Sequence, residues 1–228
     1  MISVGIFGDS VTKGVVFDAV KNKYSLIKES FVNIMERQHS LSIKNYSRFG
    51  CTIPIGIKIL KRHAAELNKF SYTILEFGGN DCDYNWAEVS EKPHQQHLCN
   101  TPITIFCDKY KELIDFILKH GGRPVLLNLP PIEPKRYFNW ITKGYHKINI
   151  LTFLGEIDTI YKWQEMYSTA IEKLATEMKI PLIDIRSGFL SKDNYSDYLC
   201  VDGIHPNEKG HFLIFKALQE KAAKGLIP

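Results

Sequence analysis

The segment I-S-V-G-I-F-G-D-S, residues 2–10, decides the fold of this chain. Its apolar run from Ile2 to Phe7 is typical of a buried β-strand, and the Gly-Asp-Ser turn after it ends the strand. Ligands of open α/β sheets bind beyond the carboxyl ends of the strands. The segment therefore predicts a first strand that presents a candidate nucleophile, Ser10, at the functional edge of a sheet.

The same pattern of short apolar runs between helical segments continues along the chain. Alternation of this kind indicates βαβ units around a parallel sheet. Four more predicted strands are Ser42 to Tyr46, Tyr72 to Phe77, Pro124 to Leu129 and Leu182 to Ile185. Predicted helices run from about Leu26 to Arg37, and along apolar stripes at Ile103 to Ile117, Ile160 to Met178 and Phe212 to Ala222. We therefore predict an α/β fold with a five-stranded parallel sheet.

Length, composition and charge limit the class of protein. The chain has 228 residues, of which 44% are hydrophobic and 24% are charged, and this predicts one domain spanning residues 1–228. The formal net charge of +4 is dispersed along the chain. A protein that follows a phosphate backbone carries a basic stripe instead. We therefore expect no nucleic-acid partner.

The first residues of the sequence do not have the pattern of a secretory signal peptide. They lack the positive region, the long apolar stretch and the small-residue cleavage site of a signal peptide. No segment reaches the roughly 18 uninterrupted apolar residues that span a bilayer, so no membrane partner is expected. The 5 cysteines are odd in number and widely spaced. These features predict a cytoplasmic protein.

Two long connections interrupt the alternation of strands and helices. Residues 83–102 are polar, and residues 130–158 are rich in proline and aromatic residues. Both follow predicted strands, so both are candidates for the walls or lid of a ligand pocket. The alternative is that their aromatic residues only fill out the fold.

An acid and a base for Ser10 lie near the other end of the chain, in D-G-I-H-P, residues 202–206. A serine hydroxyl is a useful nucleophile at neutral pH only when a base removes its proton. His205 is the candidate base, because imidazole titrates near neutrality. Asp202 can orient the ring and stabilise its charged form. Ser10, Asp202 and His205 are therefore candidate catalytic residues.

Acyl transfer also needs hydrogen-bond donors for the charged oxygen of its tetrahedral intermediate. Gly50 follows the second predicted strand, and its backbone N–H can approach a substrate because glycine has no Cβ. Asn80 follows the third predicted strand, in G-G-N-D, and offers a side-chain amide. Gly and Asn are also common turn residues. Their places after consecutive strands nevertheless put both on the same sheet edge as Ser10.

A phosphate-binding module is the main alternative for the first segment. Flavodoxin-like proteins hold phosphate in a Ser/Thr-rich loop after the first strand, and S-V-T-K-G, residues 10–14, has that character. Such a phosphate- or nucleotide-binding module would have no hydrolase activity. It would also have no need of the D-G-I-H-P segment.

A metal site is a further alternative, because His94, His97 and Cys99 lie within six residues. Zinc centres usually need another ligand at compatible spacing. We therefore predict a site that holds no metal and no cofactor.

Together these motifs resemble those of the SGNH hydrolases, the superfamily of GDSL esterases and acyl-hydrolases, over almost the whole chain. The family's name refers to four functional residues, which match Ser10, Gly50, Asn80 and His205. The resemblance implies Ser10 as nucleophile, His205 as base, Asp202 as the third member of the triad, and an oxyanion hole made of the Ser10 N–H, Gly50 and Asn80. It also implies a three-layer α/β/α sandwich that resembles flavodoxin.

Departures from the family pattern are small. Val11 stands where Leu is most common, and Cys51 stands where a small or acidic residue is more common. Neither residue has a catalytic role. Asn45 and Asp81 also match family positions, and we expect them to support the turns that carry the donors.

These residues predict a serine esterase that hydrolyses carboxylic esters through an acyl intermediate on Ser10. Short acyl groups, such as acetyl on a carbohydrate or another small alcohol, are the preferred substrates, because the sequence has no lipid-sized apolar run. The aromatic residues expected to stack on a sugar are Tyr137, Phe138, Trp140 and Trp163. Lysophospholipase, thioesterase and acyl-transfer activities stay open. The sequence does not indicate an oligomeric state.

Overall fold

The apolar runs form a parallel sheet in the computed structural model, which describes residues 2–39 and 41–223. In chain order the strands of these residues are β1 (Ser3–Gly8), β2 (Val15–Asp18), β3 (Lys23–Leu26), β4 (Ser42–Asn45), β5 (Tyr72–Glu76), β6 (Pro124–Leu127) and β7 (Leu182–Ile183). The sheet has the order β4-β1-β5-β6-β7, and all its neighbouring strands are parallel. β1 and β5 lie inside this order and are buried almost throughout, as expected of strands in a parallel sheet covered on both faces.

Helices follow most strands of the sheet. In chain order they are α1 (Ser10–Lys13), α2 (Phe31–His39), α3 (Ile53–Arg62), α4 (Trp86–Glu91), α5 (Ile103–Lys119), α6 (Pro134–Ile141), α7 (Lys147–Leu154), α8 (Thr159–Met178), α9 (Arg186–Leu190) and α10 (Glu208–Ala223), with short 3₁₀ segments at Ala64–Lys69 and Tyr195–Tyr198. Across residues 2–39 and 41–223, no helix has the length and apolar character needed to cross a membrane.

Two apolar cores separate the sheet from its helices. On one face, Phe7 and Leu75 pack with residues of α3, α5 and α8. On the other face, Ile6 and Ile74 pack with residues of α2, α9 and α10. Neighbouring residues of one strand reach different cores because side chains alternate between the faces of a sheet. The predicted three-layer α/β/α sandwich with a five-stranded parallel sheet is confirmed.

All predicted strands lie in this sheet, but their ends differ from the prediction. β4, β5, β6 and β7 end one or two residues before their predicted ends. Beyond these points the regular strand pairing stops, although single backbone hydrogen bonds continue, such as the one of 2.8 Å from the Tyr46 N–H to the Ile6 carbonyl oxygen. The turns after β1 and β5 carry Ser10 and Asn80 at the carboxyl edge of the sheet.

Residues 15–26 form an antiparallel hairpin that the sequence analysis did not predict. The helix predicted from about Leu26 is wrong at its start, because Leu26 ends β3 and α2 begins at Phe31. Cross-strand pairing explains the difference: Phe17 in β2 lies opposite Tyr24 in β3, with ring centroids 5.2 Å apart. Aromatic pairs of this kind stabilise a hairpin by up to about 1 kcal/mol. They override the weak local helix signal.

The two long connections contain short helices that form a third apolar cluster. α4 lies within residues 83–102, and α6 and α7 lie within residues 130–158. Their apolar side chains pack together and against the start of α8. Since the connections follow β5 and β6, this third cluster lies next to the carboxyl edge of the sheet.

Candidate active site

Ser10 is the first residue of α1, directly after the turn that follows β1. Asp9 caps this short helix, because its Oδ1 accepts a hydrogen bond of 2.8 Å from the Val11 N–H. Ser10 is only 7% exposed. The candidate nucleophile is therefore held on a fixed turn and largely shielded from bulk water.

Ser10, His205 and Asp202 form a continuous hydrogen-bonded row. The Ser10 Oγ is 2.9 Å from His205 Nε2, and His205 Nδ1 is 2.6 Å from Asp202 Oδ2. When the Nδ1–H donates to the carboxylate, Nε2 is left to accept the serine proton. The fold thus brings together residues that are as many as 195 positions apart in the chain.

The carboxyl group of Asp202 is buried but charged. Burial raises its pKa, whereas its hydrogen bond to the His205 ring, the charge of that ring and two backbone N–H groups lower it. Those N–H groups belong to Ile204 and His205, which donate to Oδ1 over 3.1 and 3.2 Å. The balance leaves the pKa of Asp202 below its usual value. An ionised carboxylate is therefore available to stabilise a protonated His205.

A tight turn holds Asp202 and His205 in this geometry. The Cys200 N–H donates to the His205 carbonyl oxygen over 2.8 Å, and the Gly203 N–H donates to the Cys200 carbonyl oxygen over 3.0 Å. Gly203 has a φ of +79°, and a Cβ there would lie 2.7 Å from the Glu133 carbonyl oxygen. Only glycine accepts both the left-handed conformation and this close approach to the start of α6.

Asn80 presents its amide beside the candidate nucleophile, Ser10. Its Nδ2 donates to Asp9 Oδ2 over 2.9 Å, and its backbone oxygen accepts a hydrogen bond of 2.9 Å from the Asn100 side chain. The Cys51 carbonyl oxygen is 3.5 Å from the same Nδ2, which is long for a hydrogen bond. Asp9 therefore orients the amide through one N–H, and the second N–H has no strong competitor for a ligand.

Gly50 lies in the exposed turn after β4. Its φ is +67°, a conformation that favours glycine, although a Cβ there would meet no atom within 4 Å. The ring of its neighbour Phe49 packs nearly parallel to the His205 ring, with centroids 6.0 Å apart. Gly50 therefore lies on the His205 side of the site, and it does not line the cavity described below.

Asn45 and Asp81, which the sequence indicated as supports, hold the turns that follow β4 and β5. Asn45 Nδ2 donates to the Thr12 carbonyl oxygen over 2.8 Å, and its Oδ1 accepts a hydrogen bond of 3.0 Å from the Ser47 N–H. The Asp81 carboxylate accepts from the Ile53 N–H at the start of α3, over 2.9 and 3.2 Å. Burial raises the pKa of Asp81 to about 6.

Glu76, the last residue of β5, is a site residue that the sequence analysis did not identify. It is 1% exposed, and no donor among the described residues makes a hydrogen bond to its Oε2. Burial raises the pKa of Glu76 well above its usual value, and the neighbouring Asp9 raises it further. The signal in the sequence was an acidic residue at the end of an otherwise apolar strand, Y-T-I-L-E.

A partly enclosed cavity of about 80 Å³ opens next to Ser10. One end is polar and includes Asp9, Ser10, Glu76, Asn80 and His205. The opposite walls come from both long connections and from α8, and they include Trp86, Ile132, Tyr137, Ile160 and Trp163. The long connections, which the sequence indicated as candidate pocket walls, thus both line the cavity.

The aromatic residues expected to stack on a sugar do not all reach this cavity. Tyr137 and Trp163 line it. Phe138 does not, because it is 1% exposed and packs inside the third cluster. Trp140 turns towards the hairpin, where its ring centroid is 4.5 Å from that of Phe17. The sequence could not tell these neighbours apart, because the burial of each depends on the packing of α6.

An aromatic wall made of Phe17, Tyr24, Phe49 and Trp140 covers the other side of His205. The Tyr24 ring lies edge-on to the His205 ring at 5.2 Å, and it also packs on Phe49 at 5.1 Å. Burial, followed by the nearby Asp202 charge, raises the pKa of Tyr24. Tyr24 thus stays a neutral phenol. The sequence did not predict this wall, because two of its four rings lie on the hairpin, which depends on pairing between β2 and β3.

The cluster of possible metal ligands does not assemble. Within the described part of the chain, no group of three or more His, Cys, Asp or Glu side chains is placed to hold a metal ion. His97 uses its Nε2 to donate to the Lys92 carbonyl oxygen over 2.8 Å. Cys99 is a free thiol, as are the other cysteines.

Comparison with known proteins adds a family to this geometry. Residues 6–213 match the model of the GDSL-like lipase/acylhydrolase family. The GDSL esterase/lipase WDL1 of Oryza sativa subsp. japonica is 23% identical over 151 residues, which are 65% of this chain and 52% of that protein. The chain thus spans about half the length of the curated relatives it matches.

Solved structures share the fold over nearly the whole chain. A lipase/acylhydrolase from Enterococcus faecalis has a TM-score of 0.66 at 18% identity, covering 98% of this chain and 97% of that one. The carbohydrate acetylesterase Est24 from Sinorhizobium meliloti also has a TM-score of 0.66 at 18% identity, covering 98% of this chain and 99% of that one.

Proposed function

Because the chain belongs to the GDSL-like lipase/acylhydrolase family, we propose that it hydrolyses carboxylic esters through an acyl intermediate on Ser10. The observation that carries the proposal is the hydrogen-bonded row in which Ser10 Oγ lies 2.9 Å from His205 Nε2 and His205 Nδ1 lies 2.6 Å from Asp202 Oδ2. Each distance is short enough for direct proton transfer or donation.

In the first step, Ser10 Oγ attacks the ester carbonyl carbon while His205 Nε2 takes the serine proton. The negative charge then lies on the carbonyl oxygen, and the donors that stabilise it are the Ser10 N–H, the Gly50 N–H and the free N–H of the Asn80 amide. His205 returns its proton to the leaving alcohol as the carbon–oxygen bond breaks. Asp202 stabilises the imidazolium between these two transfers.

In the second step, water attacks the acyl group on Ser10. His205 removes a proton from that water, and the tetrahedral intermediate forms again at the same donors. The proton returns to Ser10 Oγ when the acid leaves. Ser10 and His205 thus return to their starting protonation states, and the products are the acid and the alcohol.

The acyl group that the cavity favours is short. A cavity of about 150 Å³ takes a benzene ring, and the cavity beside Ser10 is about 80 Å³. Acetyl and propionyl groups therefore fit inside the cavity, whereas most of a fatty acyl chain would extend outside it. This argues against the long acyl groups of a lysophospholipase or a fatty acyl thioesterase.

A carbohydrate or another small alcohol is the proposed leaving group. The aromatic wall stands on the side of His205 away from the cavity, and its exposed member Phe49 offers a flat apolar surface of the kind on which sugar rings stack. The structural neighbour Est24 is a carbohydrate acetylesterase, which is consistent with this substrate class.

The phosphate-binding alternative fits the cavity poorly. The carboxyl groups of Asp9, Glu76 and Asp83 line it. Among the described residues no lysine or arginine lines the cavity, so an anionic phosphate would find no such cation to pair with. We therefore favour a neutral ester as the ligand.

Covalent labelling tests the proposed nucleophile. A fluorophosphonate probe should label the wild-type protein and should not label Ser10→Ala. Ser191→Ala is the matched control, because Ser191 is an exposed serine at the end of α9, and it should label as the wild type does. A folded wild type that is not labelled, or that purifies yellow with bound flavin, would contradict the esterase proposal.

A series of p-nitrophenyl esters from acetate to decanoate tests the acyl cavity. The wild type should prefer acetate or propionate. Trp163→Ala removes part of the far wall, so the kcat/KM for octanoate relative to acetate should rise about 10-fold, since each buried CH₂ contributes about 0.8 kcal/mol. Trp140→Ala, which changes a tryptophan outside the cavity, should keep the wild-type ratio. A wild type that prefers decanoate would overturn the short-acyl assignment.

A further inference from the structure

The proposed mechanism leaves the buried carboxyl group of Glu76 without a role. This side chain is 1% exposed, lines the cavity beside Ser10, and receives no hydrogen bond at Oε2 from any donor in the described residues. A buried polar group without a partner costs about 1–3 kcal/mol, and a buried charge costs more. Glu76 therefore needs a protonation state and a partner that lower this cost.

The neighbour of Glu76 is a second buried carboxyl group, that of Asp9. Asp9 is 2% exposed and follows the first strand, whereas Glu76 ends the neighbouring strand. Two adjacent carboxyl groups in a buried site do not both ionise, because like charges repel strongly there. The pair therefore shares one proton.

Hydrogen bonds decide which member holds that proton. Asp9 accepts from the Val11 N–H at Oδ1 over 2.8 Å and from Asn80 Nδ2 at Oδ2 over 2.9 Å. Both bonds favour an ionised Asp9, which opposes the rise in pKa that burial causes. Burial and the Asp9 charge both raise the pKa of Glu76. Glu76 is therefore the neutral acid of the pair, and its O–H can donate to Asp9.

This arrangement connects Glu76 to the proposed oxyanion hole. A neutral Glu76 donates to Asp9, and Asp9 accepts from the Asn80 amide, so the amide is held with one N–H towards Asp9 and the other towards the substrate. An Asp9 without this donor would be a less stable anion. It would then turn away or take a proton, and either change would release Asn80.

We propose that Glu76 is a positioning residue for Asn80: as a neutral carboxylic acid it donates a hydrogen bond to the Asp9 carboxylate, which in turn fixes the Asn80 amide for the oxyanion. This inference rests on the proposed ester hydrolysis, and the experiment below separates the two.

A double-mutant cycle with Asn80 tests the connection, using p-nitrophenyl acetate at pH 7. Glu76→Leu removes the donor at similar volume, and it should lower kcat about 10-fold or more with little change in KM, which is less than the 10²- to 10³-fold loss expected when an oxyanion donor itself is removed. Asn80→Ala alone should lower kcat more. The variant with both changes should lie within about 3-fold of Asn80→Ala alone, because two residues that act as a unit do not add.

Rescue by a neutral donor gives a second readout. Glu76→Gln keeps a donor of similar shape, so it should recover most of the kcat lost in Glu76→Leu. In the wild type, activity should fall as the pH rises and Glu76 ionises. Glu76→Gln should remove this loss, because Gln cannot ionise beside Asp9. The other titratable groups that face the pair stay in place in this variant, namely Cys51, Asp81, Tyr110 and His205.

Tyr137→Phe is the matched control for the cycle. It removes one hydroxyl from another wall of the cavity, so its effect on kcat should multiply with that of Asn80→Ala. Multiplicative effects of Glu76→Leu and Asn80→Ala, or a Glu76→Gln variant as poor as Glu76→Leu, would overturn the inference. If Glu76→Leu fails to fold, the dependence of kcat on pH in Glu76→Gln is the test. If activity falls at rising pH in Glu76→Gln as it does in the wild type, Glu76 does not have the proposed positioning role. A wild type without turnover would refute the esterase proposal instead.

Discussion

Asp202 and Glu76 are carboxyl groups of nearly equal burial close to the proposed nucleophile, Ser10, yet their pKa values move in opposite directions. Asp202 is 0% exposed and Glu76 is 1% exposed. Burial raises the pKa of both, but in Asp202 the hydrogen bond and charge of His205 and two backbone N–H groups more than offset it. In Glu76, the neighbouring Asp9 adds to the effect of burial.

The charge of a buried carboxyl group therefore depends on its hydrogen-bond and charged neighbours, and not on how deeply it is buried. A carboxylate that accepts several N–H groups stays ionised even without water, whereas one beside another acid keeps its proton. The proposed site uses both outcomes. The charged Asp202 supports the proposed base, His205. The neutral Glu76 supports the proposed oxyanion donor, Asn80, through Asp9.

Asp202→Asn removes the charge of the ionised carboxyl group, and we expect it to have the largest effect on kcat. The amide keeps the shape of the side chain but cannot stabilise a protonated His205, so kcat for p-nitrophenyl acetate should fall about 10⁴-fold. Asp193→Asn, at an exposed aspartate in the loop before Tyr195, should match the wild type. A loss of less than 10-fold would mean that Asp202 is not the acid behind the base.

Asn80→Ala removes the amide that the neutral Glu76 is proposed to position through Asp9, and it should have the next largest effect on kcat. Loss of one oxyanion donor lowers kcat about 10²- to 10³-fold, with KM changed little, because the donor acts mainly in the transition state. The control is Asn68→Ala, at an exposed asparagine remote from the cavity. A rise in KM with kcat unchanged would show that Asn80 binds the substrate instead of stabilising its oxyanion.

Two buried histidines, His205 and His211, also differ in their partners. The effect expected from this difference, on the stability of the protein, is the smallest of those predicted. His205 and His211 are both buried, but only His205 has a carboxylate on its ring. Burial, with the nearby His205, lowers the pKa of His211 to about 4, from an ordinary value of 6.5. The unfolded chain therefore takes up this proton first as the pH falls, and His211 costs stability between about pH 6.5 and pH 4.

The measurement is the free energy of unfolding in urea at pH 7 and at pH 4.5. His211→Leu should lose about 2 kcal/mol less than the wild type between these two values, because the leucine takes up no proton. The difference between the proteins cancels the opposite contribution of Asp81, whose raised pKa of about 6 favours the folded state at low pH. The exposed His94→Leu should behave as the wild type does. An equal loss in His211→Leu and wild type would contradict the neutral buried state.

Most of the fold could be predicted from the sequence. Apolar runs bounded by turn residues are a local signal, and every predicted strand lies in the sheet. The hairpin of residues 15–26 was missed because its stability comes from pairing between β2 and β3, which no single window of sequence contains. The predicted start of a helix at Leu26 was wrong for the same reason.

The candidate site could be predicted where a residue belongs to a recognisable turn. Ser10, Asn80 and the Asp202–His205 segment follow strands or form tight turns, and each stands out in the sequence. Glu76 could not be predicted, because its protonation depends on Asp9, and the two side chains become neighbours only in the folded protein. Phe138 and Trp163 could not be distinguished either, since one is buried in the third cluster and the other lines the cavity.

The sequence by itself determined the positions of the five sheet strands along the chain, the turns that carry the candidate site residues and the chemical groups in those turns. These features depend on neighbours in the chain, so local patterns reveal them. Only the tertiary structure decided that His205 meets Ser10, that Glu76 lies against Asp9, and that a cavity of about 80 Å³ closes beside them. Contacts between distant segments set protonation, orientation and volume, because burial and hydrogen-bond partners exist only once those segments have packed together.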